Sequence, residues 1–262
     1  MIRRRPLFVS FVKEVIYDRR RPGTYERIRP ETSWGHYLLE IFGILCFALL
    51  AVLIAVDLYG GVLRFGDLWL VPILLVLAYL AADFLSGFVH FLADNFGSYD
   101  IPILGPNFIE PFREHHVDPK GIVGHDFVDA NGNNSLATLP FMLFVWIVVP
   151  LETWYYGYLF GTFFLFLCLA AFFTNQFHKW AHMDDPPAFV AWLQARGVIL
   201  SQEHHDIHHE SPYDTYYCIT AGFWNPLLDR IRFYERTERL IRRSVPGTDP
   251  LLRSEREGNL NG

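Results

Sequence analysis

The chain has 262 residues, of which 52% are hydrophobic, 17% aromatic and only 19% charged, below the roughly 25% charged of ordinary soluble domains. That balance excludes a disordered tail and a collagenous rod, and a net charge of −6 leaves no basic field to draw a nucleic acid. Cys46, Cys168 and Cys218 are odd in number and lie in or beside apolar segments, so they make neither a disulfide framework nor a thiolate metal site.

Residues 1–35 read as a basic amphipathic arm, with Phe8, Phe11, Val12 and Val15 set between charges, suited to a membrane surface. A cleavable signal peptide is not expected, because no short apolar core interrupts the basic stretch. Four apolar runs follow, 41–56, 68–89, 133–151 and 153–177, carrying a single charge, Asp83. A helix needs about 20 apolar residues to cross a bilayer. Three runs reach that length, and the first does so by recruiting residues 37–39. Helices are expected because lipid leaves no backbone group unpaired and four such runs cannot close a barrel. Trp34, Tyr37, Tyr59, Trp69, Trp154, Tyr155, Tyr156 and Tyr158 at the run edges read as interfacial belts.

Lysine and arginine are uneven along the chain. Nine precede the first run, one lies in 57–67, two in 90–132, none around Glu152 and ten after the fourth run. The positive-inside rule then places both termini and the 90–132 loop on the cytoplasmic side. The expected fold is an all-α membrane protein of four transmembrane helices with a cytoplasmic histidine-rich helical cap. It would be multi-pass, in a bacterial inner membrane or endoplasmic reticulum. Its membrane domain would span 36–236, followed by a loose charged tail over 237–262. Asn131–Gly132 reads as a turn ahead of the third helix, Pro186–Pro187 as a break, and 188–200 as an amphipathic helix along the interface. No internal repeat is visible.

Ten of the eleven histidines fall in four clusters on the cytoplasmic side of this topology. His90 ends the second run with Asp94 at i+4, on the same helix face as Asp83 and Gly87. His115–His116 follow Arg113–Glu114, with His125–Asp126 beyond. His178 and His182 stand at i and i+4, and His204, His205, His208 and His209 form an HHxxHH motif. His36, alone at the start of the first run, reads as an interfacial residue. A catalytic zinc takes three protein ligands and a structural one four. Eight or more histidines therefore supply two metals, and imidazole suits iron, copper, nickel or zinc alike. Asp83 within a span is costly and so functional or partnered; it is expected to orient His90 as an acceptor, with a water-filled cavity as the alternative. No GxSxG nucleophile motif is present.

The stretch from Ser86 to Asn134, SGFVHFLADNFGSYDIPILGPNFIEPFREHHVDPKGIVGHDFVDANGNN, resembles the signature of the plasmanylethanolamine desaturase family, the Kua-type membrane proteins. TNQFHKWAH, QEHHDIHHESPYDTYYCIT and GFWNPLLD resemble that family's second half, so the resemblance covers roughly residues 34–235. A sister branch, the plant chloroplast desaturase acting on palmitate in phosphatidylglycerol, is similar in its histidine motifs. It lacks the His at the position of His125, the NGxN after it and the Arg-Glu before His115, all of which this sequence has. Phe91 in place of Trp and Gly124 in place of Arg depart from the family pattern.

The resemblance implies an oxygen-dependent desaturase that converts carbons 1 and 2 of an alkyl ether chain on phosphoethanolamine lipid into a vinyl ether. It implies two iron ions, O2 as co-substrate, and electrons from a cytochrome b5-type or ferredoxin-like donor. His90, His115, His116, His178, His182, His205, His208 and His209 are the implied ligands, with Asp94, His125 and His204 as ligands or their supports. Arg113, Glu114, Asp126 and Asn131 are expected to position the head group. A fatty-acyl desaturase or hydroxylase would use the same rim on another chain. A metal transporter or haem protein fits less well, because apart from Asp83 the spans lack midplane polar groups and facing histidines.

Overall fold

The computed structural model describes residues 34–97 and 99–244. The arm expected over residues 1–33 and the tail beyond 244 lie outside the described residues. The regular structure is helical. Helix α1 is Trp34–Phe65 and α2 is Val71–Asn95, the latter entered through a single 3-10 turn at Leu68–Leu70. A wide turn at Gly105–Ile109 leads into the short α3, Glu110–His115. Then follow α4, Phe127–Val148, and α5, Tyr155–Ala181. The remainder is α6, Ala188–Gln194; α7, Gln202–His209; α8, Asn225–Arg230; and α9, Phe233–Ser244.

Four long helices pack side by side, α1 on α4 and α5, and α5 also on α2. The core shared by α1, α4 and α5 holds Phe47, Leu50, Ile54 and Leu58 of α1, Met142 and Val145 of α4, and Leu165, Cys168 and Phe172 of α5. The outward faces are also apolar: Phe42, Leu45, Leu49, Val52 and Val56 on α1 and Phe141, Phe144 and Ile147 on α4 are exposed. A soluble monomer rarely leaves so large a continuous apolar belt in water.

By length and composition three helices can cross a membrane: Trp34–Phe65, Leu68–Asn95 and Tyr155–Ala181. Helix α4 falls short, because its first half carries Asn131, Asn133, Asn134, Ser135 and Thr138. These polar groups bond inside the protein: Asn134 donates to the Ala171 carbonyl at 2.9 Å, and Asn175 to Asn134 at 3.3 Å.

Several local expectations change. Asn131–Gly132 is not a turn but lies inside α4. Gly132 serves close approach: a Cβ there would stand 2.4 Å from the Cβ of Glu40 on α1. Tyr158 does not belong to an interfacial belt, since it is fully buried between α1 and α5. The amphipathic helix over 188–200 stops at Gln194, and the chain turns through Gly197 at φ +64°. At the C-terminal end, α9 runs past residue 236, with Tyr234 and Glu238 buried against the bundle and Arg242 donating to Glu238 at 2.8 Å.

Candidate metal centre

The histidines converge where α2 and α5 end, beneath α3 and α7. One group gathers His115, His178, His182, His205 and His209; a second gathers His90, Asp94, His116 and His208, each with its ligand atoms within 4.8 Å of one another. Helical spacing divides the ligands. On α7, His205 and His209 (i, i+4) face the first group, while His208 faces the second. The His115–His116 pair splits likewise. Ser201 opens α7 by accepting the His204 N–H at 3.3 Å, which sets that rotation.

In the first group the Nε2 atoms form a chain: His115 to His182 at 2.9 Å, His182 to His178 at 3.3 Å, His178 to His205 at 2.8 Å and His205 to His209 at 3.1 Å. Each Nε2 offers one hydrogen or one lone pair, so the middle three cannot satisfy two neighbours well. A single cation would take all five lone pairs at once, and these five residues are the ones that would hold it. In the second group, Asp94 Oδ2 lies 3.1 Å from His116 Nε2, 3.4 Å from His90 Nε2 and 3.8 Å from His208 Nε2. His208 Nε2 and Asp94 Oδ1 are buried without a hydrogen-bond partner, as ligand atoms awaiting a metal would be.

Outer contacts fix the tautomers of two histidines in the second group. His90 Nδ1 donates to the Tyr217 carbonyl at 3.1 Å and His208 Nδ1 to the Thr215 carbonyl at 2.7 Å, which leaves each Nε2 as a lone pair. Burial, and after it the neighbouring imidazoles, pushes His115 and His205 well below the usual histidine range. The same causes bring His209 down to about 3 and set His208 well below its ordinary value. His182, buried and facing His116 and Lys120, falls to about 4. These five imidazoles are therefore held in the neutral form, the state a metal ligand requires.

Two expected ligands stand apart. His204 Nε2 meets the Asn225 amide at 3.1 Å and its ring packs on Tyr216. His125, just before α4, offers its carbonyl to Lys179 and belongs to neither group. The residues expected at the head group have structural partners. Arg113 is buried, donating to the carbonyls of Ala93 at 2.9 Å, Phe96 at 2.8 Å and Gly97 at 3.2 Å. Asp126 caps α4 through the N–H groups of Val128 and Asp129 and accepts the Tyr37 hydroxyl at 2.7 Å. Asn131 is buried and donates to the Phe127 carbonyl at 2.8 Å. Glu114 is half-buried, its carbonyl closing α3.

Asp83 does not orient His90. Its carboxylate accepts from the N–H groups of Ala221 at 2.8 Å, Gly222 at 2.9 Å and Trp224 at 3.2 Å. His36 is not merely interfacial: its Nε2 lies 3.3 Å from the buried Glu40. The sequence also passed over Phe112 and Tyr213, whose rings pack on His90 at 4.9 Å and on His116 at 4.8 Å, and the two carbonyl acceptors. Except for Phe112, their signal was the tyrosine-rich stretch Tyr213–Tyr217 shortly after HHxxHH.

Residues 79–251 match the lipid desaturase domain family. The chain is 45% identical over 205 residues to the plasmanylethanolamine desaturase of Myxococcus xanthus, covering 78% of this chain and 71% of that protein. It is 45% identical over 202 residues to plasmanylethanolamine desaturase 1 of Mus musculus, covering 76% and 74%. Similarity to the chloroplastic fatty acid desaturase 4 of Arabidopsis thaliana is 36% over 163 residues, covering 61% of this chain and 48% of that protein. No solved structure matches. The shared domain and the length of the 45% identity establish that the chain is a desaturase-type oxidoreductase and belongs to the plasmanylethanolamine desaturase family of lipid desaturases.

Proposed function

We propose that the protein is a di-iron, oxygen-dependent desaturase that converts the 1-O-alkyl chain of a glycerophosphoethanolamine lipid into a vinyl ether. The observation that carries the reading is the division of nine side chains into two adjacent ligand groups of five and four. One C–H bond breaks at carbon 1 and one at carbon 2 and a C=C bond forms. The two hydrogens, two further electrons and two further protons reduce O2 to two waters. A bound iron pair supplies the redox chemistry that no side chain here offers. The protein's part is to hold it. Asp94 and the eight imidazoles would ligate, the Thr215 and Tyr217 carbonyls keep the Nε2 lone pairs directed inward, and burial of His90 and His208 excludes water.

The substrate reading is supported by the printed names of the two relatives at 45% identity, and by chemistry. An ether oxygen weakens the adjacent C–H bonds, and carbons 1 and 2 are the chain atoms nearest the head group. A ligand cluster at one end of the apolar bundle meets that part of a lipid. We extend the topology to four spans, with α4 crossing in the shelter of α1 and α5, and with both termini and the cap cytoplasmic. The electron donor is read as cytochrome b5-type or ferredoxin-like.

The test is to supply alkylglycerol to plasmalogen-deficient cells expressing the protein and to measure lipids by mass spectrometry. Oxygen-dependent vinyl ether is expected. New acyl double bonds without vinyl ether would instead favour the reading that the Arabidopsis similarity suggests. Separately, tags at residues 66 and 152, in the turns after α1 and α4, should be reachable only from the non-cytoplasmic side, and labelling of either from the cytoplasm would reverse the orientation.

A further inference from the structure

We propose that the outer face of α9 is the docking surface for the electron carrier, and that this carrier is an acidic one-electron redox protein. The inference rests on the reading above that the centre reduces O2, and so needs electrons from outside the chain.

Position is the first argument. Helix α9 climbs along α2: Phe233 packs on Phe84 at 5.6 Å, Tyr234 on Phe91 at 5.1 Å, and Arg242 lies 5.5 Å over Phe96. Phe84 to Phe96 is twelve residues, about 18 Å of helix rise, with His90 at its midpoint. The far end of α9 therefore projects past the level of His90, away from the apolar bundle. On its inner side, the buried Tyr234 ring meets the buried Tyr217 ring at 4.6 Å. Tyr217 in turn meets His90 at 5.6 Å and His208 at 5.0 Å. Two ring contacts through packed protein join α9 to the second ligand group.

Charge is the second. Arg236, Arg239, Leu240 and Arg243 follow i, i+3, i+4 and i+7 and are exposed along one stripe, with Arg239 also paired to Glu235 on the same helix, so the stripe stays net basic. Leu240 is 66% exposed and borders a shallow groove of about 250 Å³ lined by Ile231, Phe233, Arg236, Thr237 and Leu240. A small apolar centre rimmed by arginines suits a weak, steered encounter of the kind redox partners make. Elsewhere the cap surface is acidic, with Asp118, Glu203, Asp206, Glu210 and Asp214 exposed and Asp184 paired to Lys120. An acidic carrier is repelled there and guided to α9.

The probes are the soluble haem domain of a cytochrome b5-type protein and a ferredoxin, titrated against the full, metal-loaded chain in neutral phosphatidylcholine nanodiscs. Binding should weaken as salt rises. The triple variant Arg236→Glu, Arg239→Glu, Arg243→Glu should lower affinity for at least one carrier by about tenfold or more and flatten the salt dependence. Metal content and turnover with dithionite should not change. Leu240→Ala should weaken binding without altering its salt slope, and Glu203→Lys with Asp206→Lys should leave the α9 contribution intact. Triple-variant affinity within about twofold of the parent, or no binding of either carrier to the parent, would overturn the proposal. So would a loss confined to association with phosphatidylserine-containing bilayers, which would make α9 a lipid-binding face. Binding is read without lipid substrate, so a different product would remove the substrate reading and leave this result standing.

Discussion

His208→Ala or His178→Ala should reduce lipid desaturation below detection and remove about one metal equivalent, while the protein still inserts and folds. His208 Nε2 is buried without a hydrogen-bond partner beside Asp94, and His178 Nε2 sits between His205 and His182 at 2.8 and 3.3 Å. Neither side chain belongs to the apolar core that packs α1, α4 and α5. Losing an outer partner of a ligand costs about 10–100-fold, and losing the ligand itself costs more. The two groups can be told apart: His178→Ala should empty the five-histidine site and His208→Ala the site containing Asp94. His204→Ala is the contrast. Its ring contacts Asn225 and Tyr216 and neither group, so iron content measured by mass spectrometry should stay at the parent value. Full metal retention in both His178→Ala and His208→Ala would sink the two-site assignment.

Much of this was legible in the sequence because its signals are local and periodic. The apolar runs gave the long helices, and the i, i+4 spacing of His90–Asp94, His178–His182 and His205–His209 gave shared faces before any fold was known. What stayed hidden depends on contacts between distant segments. Asn131-Gly132 reads as a turn from local propensity, yet Gly132 lets α4 lie against Glu40 of α1, and tertiary packing overrides the preference. Arg113 beside the histidine pair looks like a phosphate ligand until the carbonyls at the end of α2 are found around its guanidinium. His125 and His204 have the residue type and the neighbourhood of ligands. Only helix rotation and loop path show that neither joins the two ligand groups.

Asp83→Ala should lower stability by about 3 kcal/mol or more, read as thermal unfolding in detergent, while the folded fraction keeps its iron. The carboxylate is fully buried and accepts three backbone N–H groups in the 221–224 turn. Each donor left buried without a partner costs about 1–3 kcal/mol, discounted where the turn relaxes to admit water. Asp83→Asn separates this role from one in the metal centre. Its amide oxygen can keep the bonds to Ala221 and Gly222 but turns an N–H₂ toward the Trp224 N–H, so a loss of about 1 kcal/mol is expected. The turn also holds Trp224, whose Nε1 donates to the Leu80 carbonyl at 2.7 Å, so tryptophan emission should report loosening first. An aspartate that oriented His90 would behave differently. Its substitution would lower iron affinity at constant unfolding temperature, and that outcome would return Asp83 to the metal centre.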